Sequence, residues 1–174
     1  MTAKFLVVAT IAFFVQGCAS TYIEPTEGSR AQIRFVSYTS GANVHVLSYD
    51  TEDCNTGKAH VAALSGIAIS HNRKRLGLPL GSEFDERNYT ETYIRANRPY
   101  IFDMGWWFGS VYSGYSSCYV TTVFEPAENQ IYEASFYRDA DKCWVDVKRF
   151  KNEFGNYIRV QESTTRKSAV QCKP

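Results

Sequence analysis

From Ala31 onward, apolar and polar residues alternate with a period of two, the pattern of strands with one buried and one solvated face. Ile33 and Phe35 flank Arg34, and Val44 and Val46 flank His45, with Ser40-Gly41-Ala42-Asn43 as the turn between them. Residues Ala59 to Ile69 are apolar, small and interrupted by Gly66, a pattern open between a strand and a short helix. Thr90 to Arg95 and Pro99 to Met104 read as two further strands. The last third carries the clearest signal. Cys118 to Phe124 runs into the turn-like Glu125-Pro126-Ala127-Glu128-Asn129; Tyr132, Ala134 and Phe136 then alternate with Glu133 and Ser135. Val145 and Val147 flank Asp146, and after Gly155-Asn156, Ile158 and Val160 flank Arg159. Such short connections predict antiparallel neighbours. The expected fold is therefore all-β, an antiparallel two-sheet β-sandwich, Ig-like or related, of about eight strands. Ile33, Phe35, Val44, Val46, Ile101, Phe124, Phe136, Val145, Val147, Ile158 and Val160 would lead its core.

The amino terminus breaks this pattern. A positive start at Lys4 precedes an apolar run from Phe5 to Val15, too short for a spanning helix and suited to an export signal. It ends in Val15-Gln16-Gly17-Cys18, which resembles the lipobox of bacterial lipoproteins. The resemblance covers only the first 20 or so residues. It implies a signal peptide of residues 1–17, cleaved before Cys18, whose thiol would carry a diacylglycerol and anchor the chain in a membrane. Ala19, where an aspartate would favour retention in the inner membrane, implies an outer-membrane anchor, with the domain facing the periplasm. The alternative is an ordinary export signal cut after Gly17 or Ser20.

Cysteine parity separates the two. The chain has 5 cysteines, an awkward number for an exported protein. With Cys18 assigned to lipid, Cys54, Cys118, Cys143 and Cys172 form an even set. Their spacing lacks the close pairs of a metal site, and an oxidising compartment favours disulfides. Cys118 and Cys143 begin strands expected to flank a third, about 9.5 Å apart in a flat sheet and too far to bridge. Of the three possible pairings, this favours Cys54–Cys118 with Cys143–Cys172. Residues 18–29 are polar, with Pro25 and Gly28, and read as a flexible tether; residues 30–174 suffice for a single disulfide-stapled domain.

Charge narrows the partners. Without Lys4, the 19 Lys and Arg fall level with the 18 Asp and Glu, so the mature chain has no long-range field to gather nucleic acid. The run Arg73-Lys74-Arg75 reads as a solvated loop. Catalytic signals are weak. Gly114-Tyr115-Ser116-Ser117-Cys118 lacks the closing glycine of a nucleophile elbow, and Gly57-Lys58 lacks the context of a phosphate loop. His45, His60 and His71 show no metal-ligand spacing, and Asp139 and Asp141 lack the rest of a calcium loop. No metal, cofactor or catalytic residue is assigned. A carboxylate pair such as Glu83 and Asp85, with Glu86 beside them, is the remaining acid–base candidate.

Residues 104–117 (MGWWFGSVYSGYSS) carry the composition of a binding loop: Trp106, Trp107, Phe108, Tyr112 and Tyr115 spaced by glycine and serine. So many glycines argue against a regular strand. The alternative is that these rings cap the core. Three functions follow. The leading one is a non-catalytic, lipid-anchored envelope protein that binds or supports an envelope protein or glycan through this loop. The others are a hydrolase of envelope polymers using the carboxylate pair, and a subunit of an envelope secretion or assembly machine.

Overall fold

The computed structural model describes residues 20–39, 43–64, 74–110, 114–140 and 142–172, with backbone only for 107–110 and 114–115. The leader and Cys18 lie outside these. The described chain is all-β: β1 (Ser20–Thr21), β2 (Arg30–Ser37), β3 (Val44–Tyr49), β4 (Ala59–Leu64), β5 (Tyr89–Arg95), β6 (Tyr100–Ser110), β7 (Gly114–Phe124), β8 (Ile131–Asp139), β9 (Lys142–Glu153), β10 (Asn156–Gln161) and β11 (Arg166–Lys167). The ambiguous stretch after Ala59 is a strand as far as Leu64.

Two sheets form, ordered β1-β4-β3-β6-β7-β11 and β10-β9-β8-β2-β5. Both are mixed, which corrects the antiparallel expectation. β2 runs antiparallel to β5 but parallel to β8, with Arg34 opposite Glu91 on one side and Glu133 on the other. β1 runs parallel to β4. Tight turns enforce antiparallel pairing only between consecutive strands, and β2 meets β8 from far along the chain. Where the turns are tight the expectation holds. Phe154 and Gly155 join β9 to β10 with φ of 53° and 86°, the two positive values that a two-residue hairpin turn requires.

The main core lies where the sheets face each other. Phe35 on β2 meets Phe102 on β6 edge-on at 5.3 Å, and Phe124 on β7 meets Tyr132 on β8 at 5.1 Å. Ile33, Val44, Val46, Phe136 and Val147 are buried with them, and Val145 packs against the cluster. Ile101 is buried elsewhere, on the far side of the first sheet with Leu47, Tyr49, Val123 and Cys172. Period two demands this, because its neighbour Phe102 points inward. Ile158 is exposed and Val160 half-buried, since β10 is an edge strand.

The disulfides also correct the expectation: Cys54 bonds Cys172, and Cys118 bonds Cys143. The distance argument assumed one flat sheet. β7 and β9 belong to different sheets, and Cys118 and Cys143 reach across with their Cα atoms 6.2 Å apart. That bridge staples sheet to sheet. Cys54–Cys172 closes the C-terminal tail over the first sheet.

The tether is corrected as well. Ser20 and Thr21 pair with Ala59 and His60, Tyr22 N–H donates to the His60 carbonyl at 3.0 Å, and the Tyr22 hydroxyl donates to the Tyr93 carbonyl at 3.0 Å. Glu24 pairs with Lys74 at 2.6 Å and Pro25 is buried. A polar segment with its backbone and carboxylate satisfied by the domain gains more from docking than from solvation.

Candidate functional site

The aromatic segment is a hairpin, with β6 and β7 in register from Tyr100↔Phe124 out to Ser110↔Gly114. Gly105 shows why a strand accepts the glycine: the Tyr119 ring lies on it, so a Cβ there would collide with the ring. Trp106 is buried in the main core, with the Arg138 guanidinium 3.7 Å over its ring. The side chains of Trp107, Phe108 and Tyr115, and all of Tyr112, lie outside the described residues.

The outer face of the second sheet holds a charged layer that the alternation pattern leaves unseen. Arg34 is 0% exposed. Its Nε and Nη2 donate to Glu91 Oε1 at 2.9 and 2.8 Å, and its Nη1 donates to Glu133 Oε2 at 3.2 Å. The remaining N–H groups donate to the carbonyls of Leu78 and Pro79 at 2.7 and 2.8 Å. Glu91 Oε2 accepts the backbone N–H groups of Leu76, Gly77 and Leu78. Arg159 joins Glu133 to Glu83, donating at 3.2 and 2.8 Å. Phe84, Tyr89 and Phe150 surround Arg34 with their ring centroids 5.4 to 5.8 Å from it. Cation and carboxylates thus clamp segment 76–80 onto the sheet, every charge with a partner. The basic run is spent in the same way, Lys74 on Glu24 and Arg75 over the Tyr89 ring at 3.6 Å; Arg73 lies outside the described residues.

Beside this layer a row of rings crosses the sheet. Tyr38, directly after β2, stacks on Tyr137 of β8 at 4.8 Å and 4°, and Tyr137 stacks on Trp144 of β9 at 5.4 Å and 13°. Phe84 meets Tyr38 edge-on at 5.8 Å. Tyr38 is 51% and Trp144 46% exposed. Burial, with the Glu133 carboxylate adding to it, pushes the Tyr38 hydroxyl up to about 12, so it stays a neutral donor. A cleft of about 220 Å³ opens next to Tyr38, lined by Glu83, Phe84, Asp85 and Asn88. Glu83 is held by Arg159, and Asp85 by Arg87 at 2.9 Å, so neither stands as an isolated proton donor beside the other.

On the far face of the first sheet, Asp103 is 0% exposed. Tyr49 donates to its Oδ2 at 3.3 Å, while among the described residues Oδ1 has no hydrogen-bond partner. Burial pushes the carboxyl up to about 6, against the pull of the Thr121 and Tyr49 hydroxyls and Lys58. A proton is therefore held in the folded state between pH 4 and 6 and released on unfolding, so stability falls as pH rises through that window. Asp103→Asn is expected to be more stable than wild type by about 1–3 kcal/mol at pH 8, with the difference vanishing by about pH 4. Urea unfolding at both pH values measures this; an equal difference at both would sink the titration account.

Nearby, His45 Nδ1 and His60 Nε2 lie 3.5 Å apart on neighbouring strands, and burial lowers the His45 pKa. Among the described residues no third side chain joins them to form a metal site. No protein-family model, no curated protein and no solved structure matches this chain.

Proposed function

We propose that this chain is a lipid-anchored β-sandwich of the bacterial cell envelope, held in the outer membrane facing the periplasm, with a binding or structural role and no catalysis. The observation that carries it is cysteine pairing. Two disulfides absorb Cys54, Cys172, Cys118 and Cys143, leaving Cys18 of the lipobox-like run as the one cysteine for a lipid. Acyl chains on Cys18 contribute about 0.8 kcal/mol per buried methylene, and two or three chains hold a protein effectively for good.

The docked amino-terminal segment adds a consequence. Ser20 is two residues from Cys18, so an extended linker reaches only about 7 Å before the domain begins. The domain would lie close against the bilayer. The proposed contact surface is the aromatic hairpin 104–117, without Trp106, whose ring is buried. A partner there is an envelope protein or glycan. The non-catalytic reading draws on the ion pairs that occupy Glu83 and Asp85.

Cys18→Ser tests the anchor. The wild type is expected to enter the detergent phase and take up a fatty-acid probe, while the variant stays unlabelled and is either unprocessed or aqueous. A wild type that is aqueous and unlabelled would overturn the proposal.

A further inference from the structure

The second sheet ends in an edge that is left unpaired for part of its length. β10 covers β9 only as far as Gln161 opposite Lys148, and the Glu162 N–H then donates to the Val147 carbonyl at 3.0 Å. From there the chain crosses to the first sheet, where Arg166 pairs with Val123. Among the described residues, nothing pairs with the outer edge of β9 from Lys142 to Asp146. Backbone groups alternate in direction along a strand. Because the Val147 carbonyl points outward, those of Val145 and Cys143 do too, and so do their N–H groups.

The ring row ends at the same place. Tyr38, Tyr137 and Trp144 step across β2, β8 and β9, each ring stacked on the last. Among the described residues Trp144 is the final ring of the row, 46% exposed and stacked on Tyr137 alone. An added strand would meet open backbone groups and an open aromatic face together.

We propose that the occupant is a second copy of this chain, its β9 edge pairing antiparallel with the first about a two-fold axis through Trp144. The sequence Lys142-Cys143-Trp144-Val145-Asp146 is complementary to itself in this register. Lys142 falls opposite the second copy's Asp146, and Asp146 opposite its Lys142. Trp144 meets its own copy, continuing the ring row without a break. Cys143 falls opposite Val145, and these are the residues whose N–H and C=O groups point outward, so they form the hydrogen-bonded pairs. A slip of one residue would misdirect the backbone groups and the rings together. Asp146 also pairs with Lys148 of its own chain at 3.2 Å and is 26% exposed, leaving its carboxylate able to receive a second cation. The result is one sheet continuous through both molecules, an isologous interface of the kind a two-fold dimer uses. Nothing in it depends on how Cys18 is modified.

The test uses full-length protein extracted in mild detergent. Trp144→Cys places two thiols on the axis, with Cα atoms about 4.5 Å apart in a non-hydrogen-bonded pair, within disulfide range. It is expected to give a reducible band of doubled mass, whereas Tyr157→Cys, exposed on β10, does not. A second measurement avoids new thiols. In sedimentation, Lys142→Asp alone or Asp146→Lys alone should weaken association about tenfold, because each sets two like charges face to face. Carrying both exchanges in one chain restores opposite-sign pairs and should recover most of the loss. A wild type that stays monomeric at tens of micromolar, or crosslinking through Trp144→Cys no greater than through Tyr157→Cys, would overturn the proposal. So would single charge exchanges that the double exchange does not rescue.

Discussion

Replacing Cys54 and Cys172 together by alanine is expected to lower unfolding stability by about 4–5 kcal/mol, and replacing Cys118 and Cys143 by about 3–4 kcal/mol. The order follows from loop length: the first bridge has a sequence separation of 118 and the second of 25, and a longer loop frees more of the unfolded chain when it opens. Losing the first also has a local consequence. Cys172 N–H donates to Thr121 Oγ1 at 2.8 Å, and the tail covers Leu47, Tyr49, Ile101 and Val123. Without the bridge the tail can lift before the sheets part, uncovering apolar surface at low cost. Hydrogen exchange should show early loss of protection at Ser168, whose N–H donates to the Thr121 carbonyl. The second bridge ties β7 to β9, so its loss should weaken both sheets together. Urea unfolding of the two double variants measures the order. Equal losses, or a larger loss from the shorter loop, would rule out chain entropy as the main source.

How much of this was legible follows from what each pattern encodes. Period two encodes which residues share a face, and it placed Ile33, Phe35, Phe124 and Phe136 in the core, where they lie. Tyr137 and Trp144, the chain neighbours of Phe136 and Val145, stand on the outer face in the ring row, a grouping that depends on β8 and β9 lying side by side. What alternation leaves open is which strands become neighbours. Arg34 read as a solvated residue because its partners, Glu91 and Glu133, lie far along the chain and meet it only once β2 inserts between β5 and β8. The disulfide pairing failed for the same reason, since the distance between Cys118 and Cys143 depends on β7 and β9 belonging to different sheets. The tether misread a different signal. Polar composition and Pro25 describe a segment without its own core, and such a segment still docks when a sheet edge offers it backbone partners, as β4 does for Ser20 and Thr21. Glycine content misled at residues 104–117, where Gly105 serves close packing by Tyr119 within a strand.

Arg34→Met should destabilise the protein by about 3–5 kcal/mol, since it leaves two buried carboxylates without their shared cation. Methionine keeps much of the volume, so the loss is electrostatic before it is steric. Glu133 keeps Arg159, and Glu91 keeps the N–H groups of Leu76, Gly77 and Leu78, which bounds the penalty. A second substitution identifies the cause. Adding Glu91→Gln to Arg34→Met removes one of the two uncovered charges, the species that desolvation penalises most. The double variant should therefore be more stable than Arg34→Met alone. A pure cavity would cost the same in both. The consequence also reaches the cleft beside Tyr38. Arg34 holds the carbonyls of Leu78 and Pro79, and the chain from there leads directly to Glu83 and Phe84 on the cleft wall. Protease nicking between residues 74 and 88 should become faster in the variant than in wild type, while the ring stack of Tyr137 on Trp144, built on β8 and β9, keeps its near-ultraviolet signal. A loss that Glu91→Gln leaves unrelieved in urea unfolding would show that lost packing, and not the uncovered carboxylates, accounts for the effect.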